Sequence, residues 1–342
     1  MPAELSVRVG PIELANPVLC ASGEWVADGE SLRSAIDAGA AAVVAKSANE
    51  SEAARRQLRA AASVRLDPEW VEIAHGPERR GETLLNRSGL VDEPFEEWLA
   101  TVAAADAYAH ERGAYVVASL IPGEAGRLPD LAREVESAGL RWLELNVGAS
   151  HGEEAAKGAV ELAAGPDRVG ELVALVRAAV SIPLTVKLPG TGDVLGMAAA
   201  ARAGGADAIC LAGRPLGFLP DPDTRRPVLG TFAAVGGSWA LPLTLRWVAK
   251  ARRLLGPDVP LIATNGIRDG RDVVRALLAG ASAVELGSIV WADGFGALSR
   301  AGEGLAAYLA EEGVSAGEIV GEAADAVMTY EEVADELDRN VR

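Results

Sequence analysis

Eight short apolar runs, separated mostly by stretches with helical spacing, restrict this chain more than any other feature. They are Val18–Ala21, Ala42–Ala45, Tyr115–Ala118, Trp142–Leu145, Leu184–Val186, Ala208–Leu211, Leu261–Ala263 and Ala283–Leu286. Runs of this length suit buried strands, and the stretches between them suit amphipathic helices. Repeated alternation of this kind predicts an α/β chain closed as a (β/α)8 TIM barrel. The residues just past the runs would then converge on one rim, where enzymes of this architecture place their active sites. Those residues include Ser22-Gly23, Lys46, Ser119, Asn146 and Lys187, then Gly213-Arg214, Thr264-Asn265-Gly266 and Gly287-Ser288.

Composition agrees with a single large core. The chain has 342 residues, 49% of them hydrophobic, and α/β barrels of this length occur as one domain. Residues 303–342 are acidic with a helical pattern and are expected to form a C-terminal helical extension. A net charge of −17 disfavours sequence-independent binding to nucleic acid. No apolar run is long enough to span a bilayer and no secretory pattern opens the chain, so a soluble, cytoplasmic protein without membrane contact is expected. The two cysteines, Cys20 and Cys210, lie in predicted strands and read as buried thiols, too few for a disulfide framework or a four-thiolate cluster.

Helix ends support the alternation. Leu131, Val135 and Ala138 share one helical face that closes at Gly139, and Gly39, Gly204, Gly256 and Gly280 offer similar closures. Asp167 and Asp269 stand where helices begin, as candidate N-caps. Two connections, residues 47–114 and 213–259, are long enough to carry structure or function of their own. The first contains Leu84–Leu90, a candidate rim element.

Seven segments carry a resemblance. LANPVLCASG at Leu14–Gly23, Lys46-Ser47, LLNRSGL at Leu84–Leu90, ELN at Glu144–Asn146, VKL at Val186–Leu188, Gly236-Gly237 and the run from Asn265 to Ser288 occur in this order. Their order and spacing resemble the dihydroorotate dehydrogenases, most closely the soluble class 1 branch, over residues 5 to 292. The resemblance implies a barrel binding FMN at its C-terminal rim and assembling as a dimer. It implies that Ala21, Ser22 and Gly23 lie against the flavin ring, and that Asn86 and Asn146 contact flavin and substrate. It further implies that Asn265 belongs to the cofactor site, and that Gly236, Gly237, Gly266, Gly287 and Ser288 cradle the phosphate. Lys187 matches the lysine beside the flavin, and a cation there stabilises the reduced, electron-rich ring. Lys46 matches a second lysine near flavin and substrate, placed to bind a carboxylate or shape hydride transfer. The plain alternatives are rim salt bridges for the lysines, turn chemistry for the glycines and capping for the asparagines.

Two strand ends depart from the family pattern. After ELN the family has Ile-Ser-Cys-Pro-Asn, with Cys or Ser as the base, whereas this chain has Val147-Gly148-Ala149-Ser150-His151. Alanine accepts no proton, so Ser150, if the loop shifts by one, and His151, which titrates near neutrality, are the candidate replacements. After the sixth run the family Asn-Thr becomes Ala212-Gly213-Arg214, and Val91-Asp92 stands where a further asparagine is common. Each missing partner of a buried polar substrate group costs on the order of 1–3 kcal/mol. Arg214 offers a planar fork for a substrate carboxylate or phosphate, or an ion pair.

The resulting expectation is an FMN-dependent oxidoreductase that moves hydride between a small substrate's C–C bond and flavin N5, with a substrate other than dihydroorotate. The competing readings are a catalytically silent FMN-binding or scaffold barrel and a flavin-free lyase with Lys187 as a Schiff-base nucleophile. No metal ligand set is evident.

Overall fold

The computed structural model describes residues 4–59, 61–74, 76–77, 79, 81–148 and 165–340. Eight parallel strands close into a barrel, each paired with its sequence neighbours and the last with the first. We number them β1 (Val18–Cys20), β2 (Ala42–Val44), β3 (Tyr115–Leu120) and β4 (Leu143–Asn146). They continue as β5 (Leu184–Pro189), β6 (Ala208–Gly213), β7 (Leu261–Thr264) and β8 (Ala283–Leu286). The expected TIM barrel is therefore observed, with one strand at each of the eight apolar runs.

Among the described residues, eight helices clothe the barrel. These are α1 (Gly29–Asp37), α2 (Phe95–His110), α3 (Leu128–Ser137) and α4 (Pro166–Ala179). After them come α5 (Val194–Ala203), α6 (Leu241–Leu255), α7 (Gly270–Leu278) and α8 (Gly296–Glu312). Their apolar faces turn inward: Val169, Leu172, Val173 and Val176 of α4 are fully buried, each such side chain contributing about 1.5–3 kcal/mol by leaving water. Asp269 caps α7 by accepting from the Asp272 amide at 3.1 Å. Asp167 does not cap α4; Gly165 takes that position and Pro166 begins the helix, leaving Asp167 in its first turn. At the end of α5 the left-handed residue is Gly205, with φ +104°, because Gly204 still continues the helical path.

A hairpin of Val7–Val9 and Ile12–Leu14 precedes the barrel. Its turn residue Gly10 rests against Asp207, just ahead of β6, so the hairpin closes the N-terminal end. At the other end the two long connections meet. Strands Leu216–Gly217, Ala233–Gly236, Thr83–Arg87, Ala62–Leu66 and Glu72–Ile73 form, in that order, an antiparallel sheet beside the rim. Leu66, Leu85 and Ala233 form its small core. A buried ion pair between Arg65 and Glu82 fastens it. Beyond α8 the chain returns to the barrel wall through Arg252, which grips Asp325 with two hydrogen bonds. The final helix, Tyr330–Asn340, is exposed. Among the described residues no helix is long and apolar enough to cross a membrane.

Candidate active site

At the C-terminal ends of the strands lies a cavity open to solvent. Ala21 and Ser22 enter it from β1, Lys46 and Ser47 from β2, and Asn146 and Gly148 from β4. Lys187 follows from β5, Gly213 and Arg214 from β6. Thr264, Asn265 and Gly266 extend from β7, and Gly287 and Ser288 from β8. Parallel strands end in the same direction, so sequence positions far apart arrive on one surface.

Lys187 is anchored from inside the barrel. Its Nζ contacts Glu285 directly and lies 3.8 Å from Glu144 Oε2. Cys210 Sγ completes the group at 3.4 Å from Glu285 Oε1. Burial alone would favour a neutral amine, but Glu144 and Glu285 outweigh it and raise Lys187 above the usual lysine range. The ligand atoms of Glu144, Cys210 and Glu285 lie within 4.8 Å of one another, but the lysine ammonium already supplies their counter-charge. Burial raises both thiols, Cys20 and Cys210, and both are free.

Glu144 is the proton-holding member of this group. Burial pushes its carboxyl up and the Lys187 charge opposes the rise, while Glu285 adds to it, for a value of about 7. Ser119 Oγ donates to Glu144 Oε1 at 2.8 Å and lies 2.9 Å from Ser47 Oγ, which is 3.4 Å from Ser22 Oγ. Asn146 Nδ2 also donates to Ser47 Oγ, at 3.4 Å. A line of hydroxyls thus connects the cavity with a buried carboxyl. Because the folded state holds this proton more tightly than the unfolded chain, its stabilising contribution is complete below the ordinary glutamate value of 4.5 and disappears as pH rises through about 7. Glu144→Gln is expected to flatten that decline. Urea unfolding of both proteins at about pH 5 and about pH 8 measures it, and an equal decline in both would remove Glu144 as its source.

Lys46 is engaged differently. Its Nζ donates to Glu24 Oε1 at 2.9 Å and to Ser88 Oγ at 2.9 Å. Burial opposes ionisation of Glu24, but the charge and hydrogen bond of Lys46, aided by the Arg214 charge, hold the carboxyl down to about 2. Lys46 is itself drawn below the usual lysine range by burial, with Glu24 resisting and Arg214 adding to the fall. The two shifts pull oppositely on one pair. The ionised pair is the state that suits an oxygen on which several donors converge.

Asn86 reaches the site indirectly. Its Nδ2 donates to Ser63 Oγ at 2.7 Å, and its Oδ1 accepts from Arg214 Nη2 at 3.0 Å. Asn86 therefore orients the arginine that lines the cavity. Gly236 lies behind the same arginine, where a Cβ would come within 2.9 Å of Arg214 Cδ and 3.1 Å of Asn265 Oδ1. Gly237 lines a smaller neighbouring cavity together with Ser288. Gly23 is covered by the Trp25 ring, which itself faces the main cavity and donates through Nε1 to the Ala21 carbonyl at 3.0 Å. Ala149, Ser150 and His151 lie outside the described residues.

Sequence reading missed several of these groups. Glu24, Trp25 and Ser88 belong to loops, where no periodicity marks them. Glu144 and Glu285 stand within the ELN and Asn265–Ser288 segments, and a carboxylate within an otherwise apolar strand run is the available signal for a buried partner of Lys187. Ala212 and Asn265 adopt φ of +68° and +79°, uncommon for non-glycine residues, at neighbouring strand ends beside the cavity.

A family model described as dihydroorotate dehydrogenase matches residues 4–309. The chain belongs to the dihydroorotate dehydrogenase family. The catalytic subunit of dihydroorotate dehydrogenase B (NAD(+)) from Pyrococcus horikoshii is 31% identical over 91% of this chain and 94% of its own length. The corresponding subunit from Pyrococcus abyssi is 30% identical over 93% and 98%, and that from Methanocella arvoryzae 28% identical over 93% and 97%. As a member of this family, the chain is a dihydroorotate dehydrogenase-like oxidoreductase.

Proposed function

We propose that the cavity binds FMN and a small substrate, and that hydride moves between a substrate C–C bond and flavin N5, the substrate being other than dihydroorotate. The observation that carries the cofactor reading is Lys187, a cation held by two buried carboxylates at a strand end facing the cavity. The donor set fits FMN: Asn265 Oδ1 is a buried acceptor with no partner among the described residues, which suits a hydroxyl or ring N–H. Gly287 also lines the cavity, where an added Cβ would come within 3.3 Å of the Trp25 ring and 3.4 Å of Ala21 Cβ. Bound there, FMN supplies a two-electron acceptor.

The remaining chemistry belongs to the chain. Lys187 stabilises negative charge beside β5, and Arg214, oriented by Asn86, presents a second cation from the end of the adjacent β6. Ser22 and Ser47 exchange hydrogen bonds with the line that ends at Glu144, so a proton has a place to rest near neutral pH. Ser150 and His151 are proposed as the acid–base alternatives in the loop after β4. The altered substrate set, Arg214 in place of an amide and Ala149 in place of a base, supports the change of substrate. A Schiff-base role for Lys187 is opposed by the two carboxylates that keep it protonated.

Purification should give a yellow protein that releases FMN on heating, identified by mass. Dihydroorotate with fumarate, NAD or quinone should give no turnover; rates of about 1–1000 per second would overturn the substrate assignment. A colourless protein that does not take up FMN would overturn the cofactor assignment, and flavin reduction by any substrate eliminates the silent scaffold. A dimer is the assembly proposed from the family resemblance. The relatives' designation as catalytic subunits supports a further partner subunit as well.

A further inference from the structure

We infer that Glu24 fills, from within the chain, the seat where this cavity would otherwise hold a substrate carboxylate, so that the substrate carries no carboxylate at the end facing Lys46. This deepens the proposed function and rests on its placing substrate in the cavity.

Three donors from two separate segments converge on a single oxygen. Glu24 Oε1 accepts from Lys46 Nζ at 2.9 Å, from Ser88 Oγ at 3.0 Å and from the Gly89 amide at 3.2 Å. An ammonium, a hydroxyl and a backbone N–H aimed at one point are the components of a carboxylate-binding seat. Two of the three donor residues, Lys46 and Ser88, line the cavity. Glu24 stands at the start of the short turn Glu24–Val26 directly after β1, so its side chain reaches the seat from beside the cavity. Its second oxygen, Oε2, is buried with no hydrogen-bond partner among the described residues. All three donors therefore act on one oxygen of this carboxylate, and the Arg214 charge adds to their pull.

Charge gives the same result. Lys46 is only 7% exposed and is matched by Glu24 at contact distance. A second carboxylate brought to Lys46 would meet Glu24 in a poorly solvated site, where like charges repel strongly. A neutral substrate end meets no such opposition. Glu24 is thereby a specificity-determining residue, selecting against the carboxylated rings that a free Lys46 would attract.

The test uses the purified full-length protein and two probes, orotate and uracil, a ring with and without a carboxylate, titrated by calorimetry. Wild type should bind orotate no more tightly than uracil. Glu24→Ala should gain at least about tenfold for orotate and nothing for uracil, tenfold being about 1.4 kcal/mol. Acetate should raise the melting temperature of Glu24→Ala and leave wild type unmoved, because a free carboxylate then takes the vacated seat. Glu24→Gln, which keeps the packing and removes the charge, should show a smaller gain for orotate and serves if the alanine variant does not fold. Wild type binding orotate as tightly as the variants, or no orotate gain in either variant, overturns the inference. Acetate rescue concerns only the chain's own groups, so a protein that proves flavin-free would defeat the cofactor assignment and leave this result standing.

Discussion

Replacing Lys187 by methionine is expected to destabilise the protein by about 3–5 kcal/mol and to abolish flavin retention. Methionine keeps the unbranched stem and nearly the volume of the side chain while dropping the ammonium, so the loss reports chiefly on the charge. Glu285 touches the ammonium and Glu144 lies 3.8 Å away, both 1% exposed. Removing one partner of a buried ionic group leaves the other uncompensated, which is the costly way to break such a group. Glu144, already holding its proton up to about pH 7, would hold it to still higher pH without the lysine. The variant should therefore be least stable under alkaline conditions, because Glu144 must then ionise beside Glu285 without a counter-charge. Urea unfolding across pH, with cofactor content by absorbance, measures both effects. A loss below about 1 kcal/mol would show that the ion group does not hold the barrel interior together.

The second large effect is expected at Gly266. Its φ is +87°, and an added Cβ would lie 2.3 Å from the Leu241 amide nitrogen and 2.7 Å from Leu241 Cα. These are backbone atoms at the start of α6, and backbone cannot swing aside as a side-chain tip can. Gly266→Ala should cost at least about 2 kcal/mol, combining left-handed strain with displacement of the helix. The displacement would disturb the β7 rim where Asn265 and Gly266 line the cavity, so flavin content should fall as well. Gly313→Ala is the control: it is left-handed, with φ +71° and ψ +30°, but nothing lies within 4 Å of the added Cβ. That substitution should cost only about 1 kcal/mol and leave flavin content unchanged. Equal losses at the two positions would mean that backbone conformation, and not crowding against α6, sets the effect.

The barrel was legible because burial on both faces makes parallel strands continuous apolar runs. Val43 and Val44, or Leu261 and Ile262, have no polar neighbour to confuse the pattern. The rim was legible for the same reason, since the first polar residue past each run marks where the strand leaves the core. Lys187 and Asn146 were found in that way, and both line the cavity. The rim sheet was not legible, because its strands are short and Thr83–Arg87 finds its partner Ala233–Gly236 across a span that no local period records. Glu24 escaped for a related reason. A loop carboxylate beside a recognised motif is ordinary in sequence, and only its convergence with Ser88 and Gly89 sets it apart. Asp167 and Gly204 show the limits of end signals, where a neighbouring glycine took the role that each was assigned.

The rim sheet ties together two connections that are otherwise independent insertions. Ala234 pairs in register with Asn86, and Asn86 in turn holds Arg214, 128 residues away in sequence. A slip of one residue in that pairing would turn Asn86 to the opposite face and release the arginine. The position of Arg214 in the cavity wall is thus set by two connections jointly: neither can be exchanged with a relative's alone and keep the Asn86–Arg214 contact, so any graft of this wall has to carry both.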